Sequence, residues 1–111
     1  MYNDNNDQPE QTTQVSRRRR LPWKPESRGE VVVGTLIRTE KVPVKGEWLP
    51  AAIIRDDNGR EWSVLLANTV LKEKWRQLNP RSGMHVEIEY LGDRKSKEGI
   101  NYKLFGLTVS L

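Results

Sequence analysis

The chain of 111 residues has no cysteine and a single histidine, His85. Without thiols there is no disulfide frame and no thiolate metal site, and one imidazole cannot build a multi-histidine centre. The lack of cysteine is compatible with a reducing cytoplasm, the expected location. Long apolar runs are missing too. None approaches the ~18–20 residues that span a bilayer, so no membrane partner is expected. The opening stretch, M-Y-N-D-N-N-D-Q-P-E, lacks the apolar segment of a secretory signal, and export by that route is not expected. There is no glycine-rich phosphate loop and no internal repeat of solenoid or propeller period.

The charge is present but unevenly placed. Nineteen Lys and Arg against fifteen Asp and Glu give +4 and a pI near 9.6. Residues 1–16 carry three acids and no base. Residues 17–28 carry six bases, with Arg17, Arg18, Arg19 and Arg20 in one run, against Glu26 alone. A concentrated arginine run in a basic protein points to a polyanionic partner. The leader is too polar to join a core, so residues 1–28 are expected to be a disordered basic arm, with Trp23 available to stack on a base. A targeting role for the arginine run is an open alternative. Residues 29–111 leave about 80 residues, enough for one domain with one core.

That domain is organised around W-L-P-A-A-I-I-R-D-D-N-G-R-E-W-S-V-L-L, residues 48–66. Asn58-Gly59 is a strong hairpin signal, because a type I′ turn needs positive φ at both central residues. Centring the turn there pairs Asp57 with Arg60, Arg55 with Trp62, Ile53 with Val64 and Ala51 with Leu66. Both arms are apolar on nearly every residue, where a one-sided sheet would alternate. One face therefore belongs to a core and the other stays available to a ligand or partner.

Around this hairpin the pattern reads as more strands and one helix. Glu30 to Thr39 is a β-branched run that reads as the first strand, with Gly34 marking a bulge or bend. Residues 40–47 read as a loop or ragged hairpin, broken by Pro43 and Gly46. Asn68 or Thr69 caps a helix over 70–78, which ends at Asn79-Pro80. Leu71, Trp75 and Leu78 share one face of it, which marks Trp75 as a core residue. Met84 to Tyr90 alternates as a fourth strand, with His85 on its solvent side. Residues 91–99 form a basic loop, and Ile100 to Val109 is a fifth strand.

Strand, strand, strand, helix, strand, strand is the order of the oligonucleotide/oligosaccharide-binding (OB) fold. Through V-V-V-G-T-L-I-R, the Asn-Gly hairpin, the helix over Leu71 and Trp75, and N-P-R-S-G-M-H-V-E-I-E-Y-L-G, the chain resembles its single-strand-binding branch. The segment G-D-R-K-S-K-E-G-I-N-Y-K-L-F-G-L looks like the closing hairpin of small phage or mobile-element DNA-binding proteins. The hairpin and the K-E-G loop also resemble the small barrel of a bacterial translation initiation factor. The chain departs from the tetrameric bacterial single-strand binder in having no acidic, glycine-rich tail, which puts partner recruitment by such a tail in doubt. The resemblance implies a mainly β protein, a five-stranded barrel with one short helix between strands 3 and 4.

It further implies a ligand face on strands 2 and 3, rimmed by the loops between strands 1–2 and 4–5. There bases stack on aromatic rings while cations follow the phosphates. The candidate binding residues are Trp48, Arg55, Arg60, Trp62 and Tyr102, the late cations Arg94, Lys95, Lys97 and Lys103, and the run Arg17 to Arg20. Lys41 and Lys45 add charge in the early loop. The pairing above puts Trp62 with Ile53 and Val64, and Trp48 on the opposite face with Ala52 and Ile54. The two rings share a face only if a bulge intervenes, for instance at Pro50, and either ring could instead be core. Trp62, opposite Arg55 near the turn, is the better surface candidate.

The expected function is sequence-independent binding of single-stranded DNA, without cofactor or metal. RNA binding of the translation-factor kind uses the same surface. A protein-contact barrel, with the apolar hairpin face as a homo-oligomer interface, is the third reading. An enzyme is not expected. Asp56 and Asp57 sit at a hairpin tip, Glu87 and Glu89 alternate along a strand, and neither pair has a placed partner.

Overall fold

β-Branched and aromatic runs dominate the described part of the chain, residues 20–111 of a computed structural model, and it is mainly β with one helix. In chain order the elements are β1 (Arg20–Pro22), β2 (Val31–Val44), β3 (Glu47–Arg55), β4 (Glu61–Leu65), α1 (Thr69–Leu78), β5 (His85–Lys95) and β6 (Asn101–Ser110). They make one sheet in the order β1-β4-β3-β2-β5-β6, with only the β1–β4 pair parallel.

This differs from the expected closed five-stranded barrel. Among the described residues no ladder joins β6 to β4 or β1, so the sheet is unclosed. The helix follows the fourth strand rather than the third, because Arg20–Pro22 adds a strand ahead of the expected first. The open seam is filled by side chains. Trp23 packs on Phe105 with ring centroids 5.9 Å apart. Asn68 Nδ2 donates to Lys103 O (3.2 Å) and Lys74 Nζ to Phe105 O (2.5 Å), which occupies two edge carbonyls of β6.

Residues 20–28, assigned from sequence to a free arm, lie along the sheet. Trp23 N donates to Ser63 O at 2.9 Å, and Gly29 N to Tyr90 O at 2.8 Å. The apolar bulk of Leu21 and Trp23 explains the docking, since Trp23 packs against the core. Arg17, Arg18, Arg19 and the acidic leader lie outside the described residues.

β2 is shared between two partners. Val31–Thr35 pairs with β5 and Thr35–Val44 with β3, with a register break between Leu36 and Arg38. Gly34 sits at the changeover, where a Cβ would lie 2.1 Å from Arg55 O, so no side chain fits. Of the loop or ragged hairpin expected at 40–47, the structure has the hairpin, with both strands continued to its turn. Val44 pairs with Glu47, and Lys45 and Gly46 make the turn with φ of 49° and 83°. Two adjacent positive φ values are what a type I′ turn needs, so the turn expected at Asn58-Gly59 occurs here.

At 56–60 the turn is one residue longer. Asp56 Oδ1 accepts from the backbone N–H of Asn58 and of Arg60, both at 2.9 Å. Gly59 N donates to Asp56 O, and of the turn residues only Gly59 has positive φ, at 82°. The extra residue slips the register by one, so Ile54 faces Trp62, Ile53 faces Ser63 and Arg55 faces Glu61. A one-residue slip moves every side chain to the other face of the sheet. Ala52, Ile54 and Val64 are therefore the core face, with Leu36, Leu66, Leu71, Val86, Ile88, Tyr90 and Phe105.

The helix runs one residue longer than expected at its start. Asn68 caps it by accepting from Leu71 N at 2.9 Å, and Asn79 ends it in a left-handed conformation. Leu71 is buried and Trp75 packs against the core, whereas Leu78, on the same expected face, is exposed. β5 continues through most of the expected loop at 91–99, absorbing an irregularity between Tyr90 and Asp93.

Candidate nucleic-acid interface

Among the described residues the aromatic side chains divide into two groups. Trp23, Trp62, Trp75, Tyr90 and Phe105 belong to the core or pack against it. Trp48 and Tyr102 are left open, 66% and 38% exposed. Each open ring has a cation on its own face of the sheet. Tyr102 pairs directly across β5–β6 with Arg94. Trp48 pairs with Pro43, which makes Lys41 its diagonal neighbour on that face. A flat ring beside a cation is the combination that stacks a base and holds its phosphate.

Trp62 does not join them. Its ring packs against the core, and its Nε1 donates to Asp56 Oδ2 at 3.0 Å. That hydrogen bond, with the backbone donors of the turn, holds the Asp56 carboxyl below its usual range. The register slip puts Trp62 on the core side of the hairpin, half-buried, rather than on the outward face that the sequence reading gave it. Trp48 and Trp62 share a face of the sheet, as the sequence reading required a bulge to achieve, but Trp48 lies at the start of β3 and Trp62 pairs with Ile54 near its end. Trp48 and Ile54 are six residues apart along β3, about 20 Å of strand.

The cations are placed unequally. Arg60, Lys95 and Lys97 are exposed at the tips of the two late hairpins. Lys103 is engaged: its Nζ lies 3.5 Å from Asp93 Oδ1 and 5.2 Å from the centre of the Tyr90 ring. The Tyr90 hydroxyl also donates to Asp93, which raises the tyrosine's pKa and lowers the carboxyl's. On the face opposite the core, Arg55 Nη2 donates to Glu61 at 2.8 Å and Arg38 Nε to Glu40 at 2.9 Å. Arg20 reaches both carboxylates, pairing with Glu40 and lying 3.8 Å from Glu61. This network flanks Ala51 and Ile53, which explains why both are fully buried outside the main core.

Beside the network the same face turns apolar. A cleft of about 390 Å³ runs between Val42, Val44 and Leu65 on one side and Arg20 and Pro22 on the other. It shares Trp23, Lys24 and Leu65 with a second cleft of about 320 Å³, which lies over Leu71 and Phe105. That one shares Asn68 with a third, which reaches Tyr102. The three adjoin as one groove from the β2–β3 hairpin across the seam to β6. Among the described residues Arg20, Lys24 and Lys103 line it, and no carboxylate does. A fourth cleft, which shares Pro22, Trp23 and Lys24 with the first, has Glu30 and Asp56 in its lining.

No family model, curated protein or solved structure matches this chain. The site is therefore read from its own geometry. Among the described residues no three His, Asp or Glu side chains are placed to share a metal ion, and no helix is long and apolar enough to cross a membrane.

The sequence reading missed Lys24 and Leu65 as groove residues. Lys24 is one of the six bases of the expected arm, and the sequence pattern alone gives Leu65 no distinct place. It also missed Glu40 and Glu61 as partners of Arg20, since nothing local links positions 20, 40 and 61.

Proposed function

We propose that this protein binds single-stranded nucleic acid, DNA in the first instance, without reading its sequence. The observation that carries the proposal is the groove lined, among the described residues, by three cations and no carboxylate, which ends at the Tyr102–Arg94 pair. A single strand needs apolar surface for its bases and positive charge along its phosphates, and carboxylates in the track would repel it. Trp23 and Tyr102 offer rings in the groove, and Lys24, Lys95 and Lys97 are exposed near its rims or on the adjoining hairpin. No chemistry on the strand is part of the proposal.

The OB reading of the fold is part of the same proposal. Its support is the strand order β4-β3-β2-β5-β6, the helix between β4 and β5, and one long strand shared by two partners around Gly34. The side chains that fill the β4–β6 seam stand where a closing ladder would run.

A second reading has one observation in its favour. Trp48, open on a long two-stranded hairpin, is also the kind of anchor that joins two copies of a chain. Fluorescence anisotropy with labelled oligo-dT, oligo-rU and duplex DNA at two salt concentrations separates these readings. The proposal requires oligo-dT to bind more tightly than duplex, with affinity falling as salt rises. Equal affinity for oligo-rU would make RNA an equal ligand. No binding, with a dimer that Trp48→Ala dissociates, would favour the second reading.

A further inference from the structure

Two carboxylates stand on a face that, for a polyanion binder, should carry none. Glu40 and Glu61 lie beside the groove, on the outer surface of β2 and β4. Glu61 is 2% exposed, so it is built into the sheet rather than left on it. Both hold Arg20, and each also takes a second guanidinium, Arg38 for Glu40 and Arg55 for Glu61. Arg20 opens the stretch that walls the groove, and Pro22, Trp23 and Lys24 follow it directly. β1 itself is only three residues long, a weak hold for such a wall.

We infer that Glu40 and Glu61 are positioning residues for nucleic-acid binding: through Arg20 they dock the 20–25 segment against the sheet and so complete the groove. The inference rests on the groove being the single-strand site. It leads to a counter-electrostatic expectation. Neutralising a carboxylate beside a phosphate track should strengthen binding if the carboxylate merely repels the ligand. If it holds the wall, neutralising it should weaken binding.

Glu40→Gln is the first variant, because Glu40 is partly exposed and Gln keeps its shape, whereas Glu61 is too buried for a clean test. Oligo-dT affinity is measured for the wild type, Glu40→Gln, Arg20→Ala and the double variant. Hydrogen exchange at the Trp23 N–H, which donates to Ser63 O, is followed in the same four proteins without ligand. Glu40→Gln is expected to weaken binding by at least about threefold, the share of one phosphate contact. It is expected to speed exchange at Trp23 while the melting temperature stays within a few degrees. In the Arg20→Ala background, where the latch is already gone, the same substitution should leave affinity unchanged or raise it. A merely structural role for Glu40 would not produce that change of sign. Tighter binding of Glu40→Gln in both backgrounds would overturn the inference. So would faster exchange at Trp23 with unchanged affinity. A wild type that does not bind oligo-dT would overturn the function and the inference together, and the exchange data would still show whether Glu40 holds the segment.

Discussion

The β3–β4 and β5–β6 hairpins close with the same turn and put an aromatic residue in the same place, yet one ring packs half-buried against the core and the other is left exposed. In one, Asp56 N donates to Arg60 O and Gly59 N to Asp56 O. In the other, Ser96 N donates to Ile100 O and Gly99 N to Ser96 O. Both glycines have positive φ, 82° and 84°. Both aromatics, Trp62 and Tyr102, come third after the glycine. The residue across the ladder decides their fate. Ile54 faces Trp62 and draws it onto the core, while Arg94 faces Tyr102 and keeps it in water. An exposed ring beside a cation is thus read from the cross-strand partner, and the turn only sets which partner that is.

The largest expected effect is on the buried side of this pair. Trp62→Ala should lower stability by about 3 kcal/mol, because it opens a void beside Ile54 and strips Asp56 of its indole donor. Thermal and urea melts check this, and a fall of under ~1 kcal/mol would mean the two rings are more alike than the ladder implies. Tyr102→Ala is the mirror case. Its melting temperature should stay near wild type while oligo-dT binding weakens by ~1–3 kcal/mol, the worth of one stacked base. Next come the turns. Gly59→Ala and Gly99→Ala should each lower stability by about 1–2 kcal/mol, through the left-handed backbone. Unequal losses would break the claim that one device closes both hairpins.

The smallest effect concerns pH. The Asp56 carboxyl is held below its usual range, chiefly by the Trp62 indole and also by the turn's backbone N–H groups, while Ser96 at the equivalent position does not ionise. A lowered folded value means that Asp56 stabilises the protein above the unfolded carboxylate range. That contribution is lost as pH falls through the folded value. The melting temperature of wild type should therefore drop on acidification below about pH 4 more than that of Asp56→Asn. Parallel acid limbs for the two proteins would show that the carboxylate form is not what the turn requires.

Much of the fold was legible where side-chain pattern alone sets structure. The β-branched run from Val31, the alternation of Val86, Ile88 and Tyr90, and the Asn68 cap all stand as the sequence indicates. Gly34 was legible as a bend, and its reason, the closeness of Arg55 O, is visible only in the structure. What could not be read was competition between two local solutions. Asn58-Gly59 favours a type I′ turn, but the Asp56 side chain gathers two backbone N–H groups and selects the longer loop. Pro43 and Gly46 look like breakers, yet the strands pass through Pro43 and turn at Lys45-Gly46. The Tyr102–Arg94 pair was legible as neighbouring chemistry. The groove was not, because its wall comes from Arg20 to Pro25, whose place depends on contacts with residues 40, 61, 63 and 105.

The central claim is that a single strand lies in the groove that runs from the β2–β3 hairpin past Trp23 to Tyr102. Two-dimensional amide and indole NMR of the labelled protein, titrated with oligo-dT, tests it most directly. The account predicts that shifts concentrate on Trp23, Lys24, Leu65, Asn68 and Tyr102, and that the Trp62 indole, tied to Asp56, stays nearly still. Shifts confined to the 56–60 tip, or none up to saturating oligonucleotide, would contradict it.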